Sequence, residues 1–223
     1  MFTVNERLEK LPRCFLALNG VLPAAKTIER IWALSQFKLA TDGAFQNLQS
    51  YGYFPDLVLG DMDSILLPKN PLPKTEFQKI EDQETTDSEK ALLFLQKKKW
   101  EYADVVGVLG ARLDHSWNHF LLLKQAAEKK LELFFWTDEG VCFLAKESFQ
   151  IQNAKGRLLS FFAYPGEGLK NCKTSGLEYN FHGENLNFLK TKSISNRILF
   201  ENAQVQFEKG CSLVFLGVGE GKF

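Results

Sequence analysis

The chain has 223 residues, enough for one large domain or two small ones with a buried core. Lysine plus arginine equals aspartate plus glutamate at 27 each, so the basic excess that marks nucleic-acid or membrane-surface binders is absent. No stretch reaches the ~20 consecutive apolar residues that span a bilayer. The start carries Glu6, Arg7, Glu9, Lys10 and Arg13 in place of an apolar signal core, and the expectation is a soluble cytoplasmic protein with no nucleic-acid or membrane partner.

The first half alternates short apolar runs with helical periods. In chain order, the pattern predicts a strand at Cys14–Leu18, a helix at Ala24–Leu34, a strand at Lys38–Thr41 and a helix at Ala44–Gln49. Strands at Leu57–Leu59 and Phe77–Ile80 follow, with Leu67–Pro73 between them as a surface loop. Then come a helix at Asp87–Lys98, a strand at Asp104–Leu109, a helix at Ser116–Lys129 and a strand at Leu131–Trp136. In the last helix Trp117, Phe120, Leu121 and Lys124 recur at spacings of three and four, an amphipathic period. This order implies βαβ crossovers and a mostly parallel sheet.

Beyond Trp136 the helical period stops. Short strands are predicted at Val141–Leu144, Ser148–Ile151, Leu158–Ala163, Asn171–Thr174, Glu178–Phe181, Ala203–Phe207 and Ser212–Gly217. Turns such as Tyr164-Pro165-Gly166-Glu167-Gly168 separate them, the texture of a β-sandwich of jelly-roll type. The boundary falls near Thr137–Gly140, giving an α/β domain over 1–138 and an all-β domain over 139–223. Cys14, Cys142, Cys172 and Cys211 are scattered, form no CxxC pair, and read as small buried hydrophobes.

The predicted strands deliver polar residues at their C-terminal ends, the edge where open α/β sheets bind ligands. Asn19-Gly20 follows the first strand and Asp42-Gly43 the second. Asp61-Met62-Asp63-Ser64 follows the third, Asp82-Gln83-Glu84-Thr85-Thr86-Asp87 the fourth, and Gly110-Ala111-Arg112-Leu113-Asp114-His115 the fifth. Carboxylates gathered this closely repel one another unless a cation lies among them. Mg²⁺ with phosphate oxygens resolves the repulsion, and Arg112 offers a planar fork for phosphate. Simpler readings exist for each loop: Asp42-Gly43 as a turn, Thr85 or Thr86 as a helix N-cap, Arg112 with Asp114 as a surface ion pair, His115 as a structural histidine. No GxxxxGK[ST] or GxGxxG motif is present.

Taken in order, these motifs resemble those of the thiamine pyrophosphokinases, from Phe15 to about Phe215. Asn19-Gly20-Val21-Leu22-Pro23 matches the family's NG-x-x-P, and Thr41-Asp42-Gly43-Ala44 its ADGGA. Pro55 to Ile65 matches PD-x-x-x-GDFDSI, the most specific element. Asp82 to Leu92 matches DQD-x-TD-x-x-KAL, Gly107 to His115 matches G-x-x-GGR-x-DH, Thr174 to Phe181 matches T-x-GL-x-Y/W-x-L, and Ser195-Asn196 closes the set. The departures are Ala44 and Ala111 for glycines, Met62 for Phe and Glu84 for Asp.

The resemblance implies a catalytic α/β domain that binds ATP and Mg²⁺ and a sandwich that binds thiamine. It also implies a homodimer with thiamine between one subunit's catalytic domain and the other's sandwich. The reaction would move pyrophosphate from ATP to the thiamine hydroxyl and release AMP. Asp61, Asp63 and Asp87 would hold Mg²⁺, with Asp42 joining directly or through water, and Arg112 would bind phosphate. Asn19, Gly20, Ser64, Thr86, Lys90, Gly110, Asp114 and His115 would serve the nucleotide side, and Gln83, Ser195 and Asn196 the thiamine side. Tyr179 fits either an aromatic wall for a cationic ring or the sandwich core. Two other readings share these residues: a pyrophosphokinase for another hydroxymethyl heterocycle such as a hydroxymethyl-dihydropterin, and a non-catalytic thiamine or nucleotide binder.

Overall fold

The computed structural model describes residues 1–63, 65, 75–110, 112–190 and 193–218. Ser64, Ala111 and the loop Leu67–Pro73 lie outside the described residues. The chain divides into two compact units, Leu11–Asp138, and Glu139–Phe223 together with Met1–Lys10. The first ten residues, grouped by sequence continuity with the α/β domain, therefore belong to the other unit. Strand β1 (Phe2–Thr3) pairs in parallel with Phe149–Gln150, and helix α1 (Val4–Glu9) follows it. Asn5 exchanges two hydrogen bonds with the Gln152 backbone, at 3.0 and 2.9 Å.

The unit Leu11–Asp138 contains β2 (Cys14–Ala17), α2 (Ala25–Leu34), β3 (Phe37–Thr41), α3 (Asp42–Ser50), β4 (Leu57–Gly60) and β5 (Glu76–Lys79). It continues with α4 (Asp87–Lys97), β6 (Tyr102–Val106), α5 (Leu113–Glu128) and β7 (Glu132–Trp136). Within this unit the strand order is β7-β6-β2-β3-β4-β5, and every pairing is parallel. Strands β2, β4 and β6 are buried along their whole length, as helix-covered parallel strands are. Asp104, in the middle of β6, is the polar exception. It accepts from Arg13 Nε at 2.5 Å, Arg13 Nη2 at 2.7 Å and Trp136 Nε1 at 2.6 Å, so a fully buried guanidinium and carboxylate satisfy each other.

The order also sets where a ligand fits. The chain runs outward from β2 through β3 and β4 to β5, then returns through α4 to β6 on the far side of β2. The loops after β2 and β6 diverge there, which opens a crevice at the carboxyl ends of the strands. Gly107 (φ 71°) ends β6 at Val106, short of the predicted Leu109, and a side chain at Gly107 would collide with the Leu18 carbonyl oxygen. The two loops therefore meet backbone to backbone.

Two helices differ from expectation at this edge. Helix α3 starts at Asp42, two residues early, and α5 starts at Leu113. The predicted apolar stripe of α5 is also the wrong one. Trp117 and Leu121 are exposed, and the buried face is His119, Leu122, Leu123, Ala126 and Ala127.

The other unit is built from β8 (Gly140–Ala145), β9 (Phe149–Ile151), β10 (Leu158–Ala163), β11 (Leu169–Ser175), β12 (His182–Leu186), β13 (Ser193–Arg197), β14 (Ala203–Gln206) and β15 (Ser212–Gly217). Antiparallel β13-β10-β15-β8 forms one layer, and β1-β9-β14-β11-β12 forms a second sheet. Phe143 of β8 meets Phe149 of β9 edge-on across the interior, with centroids 6.2 Å apart. The predicted strand Glu178–Phe181 is a loop, held open by Gly176 at φ 83° and by Asn180, whose amide donates to the Leu177 carbonyl at 2.9 Å. All four cysteines are buried and unbridged. No helix among the described residues is long and apolar enough to cross a membrane.

Candidate functional site

Asp61 and Asp63 lie one and three residues beyond the end of β4. Met62 between them takes φ 66°, a left-handed conformation that costs a non-glycine residue about 1–2 kcal/mol. That turn folds the chain back so that the Asp63 amide donates to Asp61 Oδ1 at 3.1 Å. Asp42 approaches from the first turn of α3. Carboxylate oxygens of Asp42, Asp61 and Asp63 all lie within 4.8 Å of one another. Gly60 makes this possible, because a Cβ there would meet the Asp42 carboxylate carbon and both its oxygens. The glycine of the Gly60-Asp61 pair is thus required by a neighbouring acid.

Asp42 is 1% exposed, and its two oxygens accept from the Gly43 amide at 2.6 Å and the Met62 amide at 3.0 Å. Burial, then the Asp87 and Asp61 charges, push its pKa from 3.8 to about 6 against those two hydrogen bonds. Asp61 is shifted the other way, chiefly by the hydrogen bond from the Asp63 amide and further by the Lys90 charge. A buried acid held against its preference among other acids is a set of hard oxygen donors suited to a divalent cation such as Mg²⁺.

Asp87 does not join this trio. Its Oδ1 accepts from the buried Lys90 ammonium at 2.9 Å. Burial works against the Lys90 charge, but Asp87, Asp61 and Asp82 outweigh it and raise its pKa. Lys90 therefore neutralises part of the acidic edge from beneath.

A cleft of about 150 Å³ opens beside the acids, at the divergence of the β2 and β6 loops. Asn19, Gly20, Asp42, Thr86, Asp87, Arg112 and His115 line it, as the motifs suggested. Thr41, Gly43, Ser88, Ser116 and His119 line it too; the first three fell within motifs but were given no role, and Ser116 and His119 were not singled out. Helices α3, α4 and α5 all begin here, so their N-terminal amides face the cleft region, a favourable setting for an anion. Thr86 caps α4 in a reciprocal box with Glu89, its amide donating to Glu89 Oε2 at 2.8 Å. Arg112 is paired with Asp114 at 3.1 and 2.5 Å, an exposed ion pair that a phosphate can displace at small cost. His115 is exposed rather than a core histidine, and Gly110 and Asp114 flank the cleft without lining it.

Two departures find a place. Ala44 is fully buried in α3 and does not line the cleft, so its methyl packs in the core. Glu84 is exposed, with its amide bonded to Asp82 Oδ1 at 2.9 Å. Gln83 is exposed in the same loop and outside the cleft lining.

Ser195 and Asn196 stand on β13 of the other unit. Ser195 takes φ 52° and donates from its amide to Ser160 Oγ at 2.8 Å. Asn196 is buried, and its side chain is committed to its neighbours. Oδ1 accepts from the Tyr179 amide at 3.1 Å, while Nδ2 donates to the Tyr179 carbonyl at 2.6 Å and to Ser193 Oγ at 3.3 Å. Both Nδ2 protons are used, so Asn196 positions the Tyr179 loop. Tyr179 itself is 71% exposed and is not part of the core.

The sequence matches the thiamin pyrophosphokinase catalytic domain over residues 28–135 and the thiamin pyrophosphokinase vitamin B1 binding domain over residues 148–212. Among curated relatives, thiamin pyrophosphokinase 1 of Caenorhabditis elegans is 31% identical over 112 residues, a match spanning 44% of this chain and 44% of the worm protein. Thiamine pyrophosphokinase 2 of Oryza sativa subsp. japonica is 25% identical over 221 residues, covering 86% of this chain and 81% of its own. The fold matches thiamine pyrophosphokinase from Bacillus subtilis with a TM-score of 0.81 at 18% identity, covering 92% of this chain and 98% of that one. The yeast enzyme matches with a TM-score of 0.81 at 17% identity, covering 97% and 90%.

Proposed function

The chain belongs to the thiamin pyrophosphokinase family, a family of diphosphotransferases, and from that premise we propose that it transfers pyrophosphate from ATP to the hydroxyl of thiamine in a Mg²⁺-dependent reaction, yielding thiamine diphosphate and AMP. The observation that carries this reading is the convergence of Asp42, Asp61 and Asp63 at the mouth of a cleft rimmed by three helix N-termini.

Asp42, Asp61 and Asp63 would hold the ion. Mg²⁺ bound there would neutralise the phosphate charge and polarise the phosphorus under attack. The residues of the chain do the rest by positioning and electrostatics, which dominate this class of transfer. The amides opening α3, α4 and α5 receive phosphate oxygens. Arg112 exchanges Asp114 for phosphate as the nucleotide enters. Lys90 pairs with Asp87 and holds a positive charge near Asp61, offsetting part of the negative charge of the edge. The thiamine hydroxyl oxygen forms a bond to the β-phosphorus and gives its proton to a carboxylate of the acidic edge, the bond from that phosphorus to the α-phosphate oxygen breaks, and AMP departs carrying that oxygen. In the second unit the exposed Tyr179 ring, fixed at both ends of its backbone by Asn196, offers a face to the cationic thiazolium. A homodimer that brings the sandwich of one subunit to the cleft of its partner, working in the cytoplasm, completes the proposal.

Product analysis tests it. Purified protein with Mg²⁺, ATP and thiamine should form thiamine diphosphate and AMP in equal amounts. Replacing thiamine by 6-hydroxymethyl-dihydropterin should yield neither product. ADP in place of AMP, or turnover of the pterin, would overturn the assignment.

A further inference from the structure

His119 was not singled out by the motifs, and the proposed chemistry does not use it. It sits on the buried face of α5, 6% exposed, and lines the cleft together with Leu18, Val108 and Leu109. Its Nδ1 lies 2.8 Å from the Val108 carbonyl oxygen. A carbonyl only accepts, so Nδ1 carries the proton and Nε2 keeps a lone pair. Burial, then the nearby His115 charge, lower the pKa of the ring against the Val108 bond, so it is neutral near pH 7. Among the described residues, no hydrogen bond to Nε2 is made. A side chain more than nine-tenths buried thus keeps one acceptor open to the cleft it lines, where a ligand's donor can take the place of solvent and a ligand's acceptor would leave it stranded.

The surroundings select the donor. Leu18, Val108 and Leu109 give this part of the cleft apolar walls, which suit the flat face of a base better than a sugar or a phosphate. A phosphate would also set oxygen lone pairs against the Nε2 lone pair. We propose that His119 is a specificity-determining residue for the nucleotide, its Nε2 accepting a hydrogen bond from the exocyclic 6-amino group of adenine. This rests on the nucleotide reading of the cleft given above. A 6-oxopurine carries a carbonyl oxygen at that position and meets the lone pair with another. The ring cannot switch tautomers to welcome it, because the Nδ1 lone pair would then face the Val108 oxygen.

The test is calorimetric titration of the protein with Mg²⁺ and either ADP or IDP, with no thiamine present. The wild type should bind ADP roughly 5- to 150-fold more tightly, the range set by one hydrogen bond whose loss strands its partner. His119→Gln, whose amide can turn either face to the base, should bring the ratio close to one. His119→Leu should weaken ADP binding and should not weaken IDP binding, since the opposing lone pair is gone. In the wild type, the ¹⁵N resonance of His119 Nε2 should move upfield on adding ADP and stay in place on adding IDP, a readout independent of how the variants fold. Equal affinity of the wild type for the two nucleotides, an unaltered ratio in His119→Gln, or an unmoved resonance with ADP bound overturns the inference while leaving the function above intact. Failure of both nucleotides to bind overturns the nucleotide reading, and the inference with it.

Discussion

Asp42→Asn should stabilise the metal-free protein at high pH and abolish its stabilisation by Mg²⁺. The folded pKa of Asp42, about 6, lies above the ordinary 3.8, so the folded state holds this proton more tightly than the unfolded chain. The stability contributed by this proton is fully present below pH 3.8 and is lost as pH rises through about 6. At about 1.4 kcal/mol per pH unit, the rise to about 6 corresponds to about 3 kcal/mol of destabilisation above that pH. Asparagine removes the charge, but it has one acceptor where Asp42 uses two, for the Gly43 and Met62 amides. Losing one such bond costs about 1 kcal/mol. The net expectation is a gain of about 2 kcal/mol at pH 8 that vanishes by pH 4. Urea unfolding in the presence of a chelator, at several pH values, measures it. Repeating the series with Mg²⁺ should stabilise the wild type according to the logarithm of ion concentration and leave the variant unmoved. A variant that is less stable than the wild type at pH 8 without metal, or that responds equally to Mg²⁺, would refute the reasoning.

Gly60→Ala should push the Asp42 carboxylate out of the trio, so that the Mg²⁺ concentration for half-maximal activity rises about tenfold or more while the melting temperature changes little; an unchanged metal requirement would count against the packing of Gly60 on Asp42. Asn196→Ala removes the bonds to Tyr179 and Ser193 and should destabilise the protein by about 1–3 kcal/mol in chemical denaturation. The same variant should raise the KM for thiamine and leave the KM for ATP near its wild-type value. Arg13→Met strands the buried Asp104 carboxylate and should cost about 3–5 kcal/mol. Arg13→Met with Asp104→Leu should recover most of that loss, and an equally unstable double variant would mean that the ion pair is not the source of the penalty.

The sheet of the first unit was legible because covered parallel strands are apolar throughout, and β2, β4 and β6 read that way. The site was legible because its acids follow those strands. The α5 face was not. Its Leu121-Leu122-Leu123 run supports two neighbouring stripes at helical spacing, and Trp117 drew attention to the exposed one. His119 was missed for the same reason, since it lies on the stripe that was passed over. In the second unit β13 inverts the usual pattern, burying Ser193 and Asn196 while Ile194 is exposed, so its hydrophobic alternation points the wrong way. The Glu178–Phe181 segment has strand-forming residues, but the Asn196 side chain takes the Tyr179 amide and carbonyl and Thr174 Oγ1 takes the Phe181 amide, so no regular ladder forms. Met1–Lys10 joins the second unit through contacts about 140 residues away in sequence, which no local pattern carries.

The central claim is that the carboxylates following β4 hold the ion on which pyrophosphoryl transfer depends. The most direct measurement is the rate of AMP and thiamine diphosphate formation by Asp61→Asn with Asp63→Asn, at saturating ATP and thiamine over a range of Mg²⁺. The account predicts a fall of several orders of magnitude that added Mg²⁺ does not restore, with circular dichroism unchanged. Wild-type turnover in that double variant would contradict it.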